Sequence, residues 1–423
     1  MHINNIFFMR SSFLSSKSGI ASYLTLLVVL GGGLSLILAF SLLVVNEVKD
    51  SRALLYSNKA FYTAESGIED SLLRLQPGFL PPPGSYSIVV DDTSATVSVG
   101  ALVAGTRIIS VDGVDVRQIK RVRAVMGMKT SSVSFHYGAQ VGKGGLTMGS
   151  NAQLTGNVYS DGRVQGDSLT KSEITGTLKV SGPHLVDSVK IDGNAYANSF
   201  DNCQVVGTLS YTSGYGSCTA GTIVSATGDP AYVDLPIPPE QIDEWKADAE
   251  LGGIQNGYTL DNNTSGSLGP RKIQGDLNLG NSSTLTLNGT VWVTGTVNFG
   301  NTDTIKLDTS YGGYSGMLIV DGPVTWGNKL NTFGSGQAGS YLLFVSTAGG
   351  TAINLGNNAT SSILYAPNGS ILIGTNLSLR EATAYGLDIA NNSSITYESG
   401  LIDADFTSGP SSGLQVVEWE EAP

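Results

Sequence analysis

Cysteine and histidine are nearly missing from this chain: two cysteines, Cys203 and Cys218, and three histidines, His2, His136 and His184, in 423 residues. There is no Cys-x-x-Cys pair, so the ligands of a zinc site are lacking and no metal or cofactor is expected. Charge is thin as well, at 14% of residues against about 25% in an average soluble domain, and it sums to −12. The densest basic cluster, Lys120-Arg121-Val122-Arg123, falls on an expected strand, so nucleic acid is excluded as a partner. No Gly-x-Ser-x-Gly, phosphate loop or dinucleotide fingerprint stands between a strand and a helix.

Glycine is plentiful, 54 residues, near twice the usual share of about 7%. Ser, Thr and Asn abound beside it, a texture of many short strands joined by tight turns. One long apolar run breaks that texture. Ile20–Val45 carries no charge, and Arg10 and Lys17 precede it without an acid between them and the run. A bilayer core of about 30 Å is spanned by about 20 apolar residues in a helix. The basic flank keeps the N-terminal side in the cytoplasm and sends everything after Val45 outside. A cleaved signal peptide is the rival reading, but its apolar region is usually about 7–15 residues.

After the run, residues 46–76 hold no proline and a single glycine. Val48, Leu54, Leu55, Phe61, Ile68, Leu72 and Leu75 recur at helical spacing, drawing one apolar stripe on an amphipathic stem that Pro77 ends. A continuous helix would lie half in lipid and half under a soluble domain. Gly31, Gly32 and Gly33 would permit a break or a close helix contact in mid-span.

The basic leader (1–19), the glycine before the apolar run, the long helix and the segment KAFYTAESGIEDSLL at Lys59–Leu73 resemble the minor pilins of type IV pili, most of all their PilX-type N-terminal segment. The resemblance covers roughly the first 130 residues. It implies that a prepilin peptidase cuts after Gly19 and leaves Ile20 as the new N-terminus. It also implies other pilins or pilus assembly proteins as partners, beside the lipid bilayer. The fifth mature position, commonly Glu in major pilins, is Leu24 here. That residue suits lipid and favours a minor, initiating or tip subunit over a bulk filament subunit.

Outside the membrane, 77–84 reads as a Pro-rich linker and 85–129 as a small antiparallel sheet packed on the stem. Its strands are Tyr86–Val90, Ala95–Val99, Thr106–Val111 and Val116–Met126, separated by turn residues. Beyond Lys129 a motif repeats: Asn278-Leu279-Gly280-Asn281, Asn298-Phe299-Gly300-Asn301, Thr325-Trp326-Gly327-Asn328 and Asn354-Leu355-Gly356-Asn357, at intervals of 20, 27 and 29 residues. Such spacing is the signature of a β-solenoid, with Gly at positive-φ corners and Asn amides stacked along the axis. A β-sandwich with Gly-Asn turns is the alternative. Two solenoid parts, 130–234 and 254–408, are expected around a helical insertion, 235–253, whose Ile242, Trp245 and Ala249 share a face that covers an edge or end of the stack. Residues 409–423 form a tail that closes with a strand over Leu414–Trp419.

Chemistry is sparse. Cys203 and Cys218 lie fifteen positions apart in a segment placed outside the cell, which favours a disulfide over two buried thiols. The acids Glu173, Asp192, Asp201, Asp276, Asp308, Asp321, Glu381 and Asp388 are scattered singly, mostly beside glycine, as turn caps are. The closest pairs are Asp112 with Asp115 and Asp403 with Asp405. A calcium-like start at Asp261 fails at its twelfth position, Lys272. Tyr211, Tyr215, Tyr311 and Tyr314 are candidates for an exposed aromatic patch.

The expected fold is thus an N-terminal transmembrane α-helix continuing into a pilin-like α+β head, followed by an all-β solenoid of right-handed β-helix type. The expected function is a non-enzymatic structural component of a type IV pilus or related filament or secretion assembly. It would be single-pass with its C-terminal region outside, its solenoid meeting surface polysaccharide or a host surface. The alternative is a membrane-anchored polysaccharide-active enzyme.

Overall fold

A computed structural model of the chain describes residues 18–75, 84–101, 106–116, 118–128, 130–168, 172–359, 363–409 and 414–422. Most of the basic leader, 1–17, and most of the Pro-rich linker, 77–83, lie outside the described residues. Helix α1 runs from Ser18 to Arg74 without a break, 57 residues or about 85 Å at 1.5 Å per residue. Gly31, Gly32 and Gly33 are helical like their neighbours. Its first half touches nothing: Leu30 is 64% exposed and Leu43 63%. By length and composition this helix can cross a membrane.

The second half packs, but not along the whole anticipated stripe. Val48, Leu54 and Leu55 are exposed, and the covered line starts only at Ala60, continuing through Thr63, Ala64, Gly67, Ile68, Ser71 and Leu75. Small residues govern this contact. A Cβ at Gly113 would stand 2.1 Å from the Ala60 carbonyl oxygen, and one at Gly67 would stand 2.5 Å from Val111 Cγ1. Backbone therefore approaches backbone, which a stripe of large apolar residues would have prevented.

The partner is an antiparallel meander of β1 (Gly84–Val90), β2 (Thr93–Val99), β3 (Thr106–Asp115) and β4 (Gln118–Met128). Alternate residues Ala95, Val97, Ile109, Val111, Val122, Ala124 and Met126 meet Ala64 and Ile68 in one apolar cluster. A fifth strand completes this sheet. Leu414–Ala422, read from the sequence as a tail, pairs antiparallel with β4, and Arg123 meets Glu420 at 3.1 Å. Everything between is an insertion into the small sheet. The chain leaves through β5 (Thr130–Val133) and returns through Ala404–Thr407, two strands that pair antiparallel with each other.

The inserted body is built on a 23-stranded sheet of parallel pairings, in the region where the sequence placed the solenoid. Its two parts do not stack in chain order. Turns from Ala139 onward step outward to Thr219–Ser225; the chain then crosses the body, resumes at Ile254–Leu260 and steps back inward. Its last full turn joins its first: Ala382 pairs with Ala139 and Ile389 with Met148. Helix α2 (Pro239–Leu251) starts at proline, with Ile242, Trp245 and Ala249 buried as expected. It lies on a lateral face, not over an end, because outward residues there are apolar. Met317, Ile319, Leu343, Val345, Ile363 and Tyr365 cluster with Trp245 and Phe406, so Gly316–Val320 and Leu342–Ser346 are buried at every position.

The Gly-Asn corners form a ladder. The backbone N–H of Asn281 donates to Asn262 Oδ1 at 2.7 Å, that of Asn301 to Asn281 at 2.8 Å, and those of Asn328 and Asn357 to the preceding Asn at 2.9 Å. Positive φ falls on the residue after Asn, at Ser282, Thr302, Lys329 and Asn358, rather than on the glycine. Glycine is required for space: a Cβ at Gly327 would lie 2.2 Å from the Gly300 carbonyl oxygen of the adjacent turn.

Gly113→Leu is expected to part β3 from α1. Overpacking of this kind costs about 1–3 kcal/mol and more where backbone cannot shift. Hydrogen exchange should show lost protection across 95–99 and 107–126, with the body at 139–396 unchanged.

Candidate functional site

Gly19 and Ile20, the residues of the expected cleavage, lie in the first turns of α1; Ile20 is 71% exposed and Leu24 61%. Cys203 and Cys218 are bonded, with Cα atoms 4.4 Å apart and exposures of 1% and 9%. Each immediately precedes a strand, and the following residues Gln204 and Thr219 are register partners. The bridge thus ties the outermost turn, Thr219–Ser225, to the turn beneath it.

Apart from one pair joined through a lysine, the named acids lie singly. Glu173 and Asp192 share Lys190, Asp187 pairs with Arg163 at 2.9 Å, and Asp276 accepts from the Thr296 N–H at 2.8 Å as a corner cap. Asp308 caps the short helix Thr309–Tyr311. Asp112 is bound to Arg121, which holds its carboxyl below the ordinary carboxylate range, while Asp115 is buried. The Asp403 side chain lies outside the described part. Asn262, in the calcium-like segment, is a rung of the corner ladder. Among the described residues no three His, Cys, Asp or Glu side chains gather as a metal group would. The four candidate tyrosines form no common patch: Tyr311 is fully buried, and Tyr211 packs on the core with Tyr215 4.9 Å away.

What the structure does assemble is a lateral face with a strap across it. Tyr159, Gln140, Thr383, Tyr365, Val345, Ile319, Trp292 and Lys272 succeed one another in register on neighbouring strands. The return segment, 226–251, runs over this row. Asn198 Nδ2 donates to Asp229 at 3.0 Å, and the Val233 N–H donates to Tyr159 Oη at 2.9 Å. Gln140 Nε2 donates to the Asp234 carbonyl at 2.8 Å, and Tyr365 Oη to the Ile237 carbonyl at 2.6 Å. Further along, Lys246 pairs with Asp321 at 2.7 Å, and Lys272 stands 4.0 Å from the Trp292 ring centre and 3.0 Å from Glu250. The sequence carries a sign of this face: Gly316–Val320 and Leu342–Ser346 are apolar runs without polar alternation, which puts Ile319 and Val345 at outward positions.

On the same side of the sheet Glu381 is 1% exposed. Thr383 Oγ1 donates to its Oε1 at 2.5 Å and its Oε2 has no partner among the described residues. Burial pushes this carboxyl well above its ordinary 4.5. The folded chain holds that proton more tightly than the unfolded chain does. Stability from this group is therefore full below about pH 4.5 and declines as pH rises toward the folded value.

No protein-family model matches the chain, and no curated protein matches it. Two solved structures are weak neighbours. The competence-associated pilin ComZ from Thermus thermophilus aligns over 87% of this chain and 98% of its own, at 12% identity and a TM-score of 0.26. An ice binding protein from an Antarctic bacterium, Flavobacteriaceae, aligns over 62% of this chain and 97% of its own, at 11% identity and a TM-score of 0.13. At these scores neither alignment establishes a shared fold, and the chain is assigned to no family.

Two outcomes are expected. Glu381→Gln keeps a neutral, hydrogen-bonding side chain and should flatten the decline of stability as pH rises above about 4.5, read in denaturant titrations across that range. Cys203→Ser with Cys218→Ser should lower stability by about 3 kcal/mol, the figure for a loop of this length, with exchange rising first in 204–225.

Proposed function

We propose that this chain is a membrane-anchored, pilin-like structural subunit that carries a β-solenoid outside the cell. The observation that carries the reading is the single helix α1, apolar and exposed at nearly every position over 20–45 and packed on an antiparallel sheet from Ala60 onward. An apolar surface of that size needs lipid or the apolar helices of other subunits as its solvent. A sheet riding on the emergent half of the same helix suits a subunit that passes from membrane to filament. The PilX-type segment Lys59–Leu73 lies where the helix meets that sheet, and the basic residues before Ile20 favour an outside location for the chain beyond Val45.

The role is structural, not catalytic. Glycoside hydrolysis uses two carboxyls about 5–9.5 Å apart with access to substrate; the one close pair among the named acids, Glu173 with Asp192, is clamped by Lys190 between them, and the others sit singly in corners and ion pairs, which supports this. Leu24, in place of a carboxylate, favours a minor or tip subunit over a bulk one. The in-register parallel turns and the Asn corner ladder favour the solenoid over a sandwich.

Mass spectrometry of the membrane-extracted protein tests this reading. A mature N-terminus at Ile20 is expected. An intact Met1, or recovery of the whole chain from cytosol without detergent, would contradict it.

A further inference from the structure

The strap leaves a cleft where it crosses the body. One hollow of about 620 Å³ lies between the strap, α2 and the strand Ile363–Ile373; a second, of about 160 Å³, opens toward Tyr385 and Lys143. Tyr232, Leu235 and Pro367 line both, so the two form one trough beside the strap.

Two features set the trough apart. Among the described residues of the body, four aromatic side chains are exposed, Tyr215, Tyr232, Phe333 and Tyr385, and two of the four meet here at 59% and 44% exposure. The rim is polar. Asp161 accepts from Ser181 at 2.5 Å and Lys246 is held by Asp321. Lys143, Asp234 and Asp243 line it as well. Exposed tyrosines in a concave site, with carboxylates and an ammonium group beside them, are the chemistry that recognises a sugar ring. The aromatic face takes the C–H side of a pyranose, and the charged groups take paired hydroxyls through charge-assisted hydrogen bonds. Acids outnumber bases on the rim, and one of the two lysines is already neutralised, so an anionic chain is repelled. A bound peptide strand would need an open sheet edge, and the edge strands Thr219–Ser225, Ile254–Leu260, Ser265–Leu268 and Asn331–Phe333 contribute no residue to the trough.

We propose that this trough binds a neutral polysaccharide chain, with successive sugar rings against Tyr232 and Tyr385. The site needs no filament and no membrane step, so its failure would leave the pilin-like reading standing.

The test is calorimetric titration of the full chain in detergent with three hexasaccharides: β-1,4-linked glucose, β-1,4-linked N-acetylglucosamine and a hexauronate. At least one neutral hexamer should bind with a Kd of about 0.1–1 mM, corresponding to about −5 kcal/mol. Tyr232→Ala and Tyr385→Ala should each weaken binding about tenfold, Tyr232→Phe should retain it within about threefold, and Tyr215→Ala should leave it unchanged. Asp234→Asn with Asp243→Asn, which alters no packed side chain, should also weaken it and serves if an alanine variant fails to fold. Three results would overturn the proposal: no binding of either neutral hexamer at 10-fold the expected Kd, tighter binding of the hexauronate, or wild-type affinity in the folded tyrosine or aspartate variants. Binding of a proline-rich decapeptide that depends on Tyr232 and Tyr385, with no sugar bound, would overturn it as well.

Discussion

The contact between Ala60 of the helix and Gly113 of β3 is the constraint on which the rest of the molecule hangs. Among the described residues, α1 meets the remainder of the chain through the four strands of the meander. At Gly113 the approach is close enough that a single methyl group would overlap a carbonyl oxygen. Such a fit holds the helix at one height and one rotation against the sheet, because ridges of larger side chains would have allowed several packings. Whatever force or position the apolar half of α1 experiences is passed to the sheet at this point. Thr63 and Thr93, bonded to each other at 2.6 Å within the same contact, satisfy the polar groups that close packing would otherwise strand.

From that sheet the topology builds outward and closes on itself twice. The C-terminal strand returns to β4, so the body hangs from the sheet by two adjacent strands rather than by one tether. Inside the body, the last turn lies on the first, and the strap 226–251 carries the chain from one end of the stack to the other. The strap is bound by side chains from several turns, Tyr159, Gln140 and Tyr365 among them, and α2 seals the apolar stretch between Met317 and Tyr365. Neighbouring turns in a stack touch only each other. A strap that crosses many turns adds contacts of long range and makes the stack behave as one unit. The disulfide acts at the far end, where the outermost turn has a neighbour on one side.

Much of this was legible in the residues. The membrane-length helix follows from Ile20–Val45 and the absence of proline before Pro77, and the meander from alternation between turn residues. The Gly-Asn repeat announced parallel turns, and Trp245 with Ile242 announced a covered helix. Three things were hidden, each for a physical reason. The helix contact depends on Ala60, Ala64 and Gly67, small residues that a search for large apolar spacing passes over. The pairing of Leu414–Ala422 with β4 spans nearly the whole chain, and nothing local distinguishes a fifth sheet strand from a tail. The order of the stack depends on which turn the returning chain meets, a choice made by outward-facing residues such as Tyr365 and Gln140 rather than by the repeat. The corner glycines were read as conformational when their role is steric, since both roles select the same residue. The trough was hidden for the same reason as the stack order, because Tyr232 and Tyr385 are 153 positions apart.

One stiff helix joins the apolar segment to the small sheet. Electron paramagnetic resonance distances between spin labels at Val28 and Tyr62, both exposed, test it directly in lipid nanodiscs. An unbroken helix gives a single narrow distribution near 51 Å, its rise over that interval at about 1.5 Å per residue. A broad distribution, or one centred well below that length as a bend at Gly31–Gly33 would give, would contradict it.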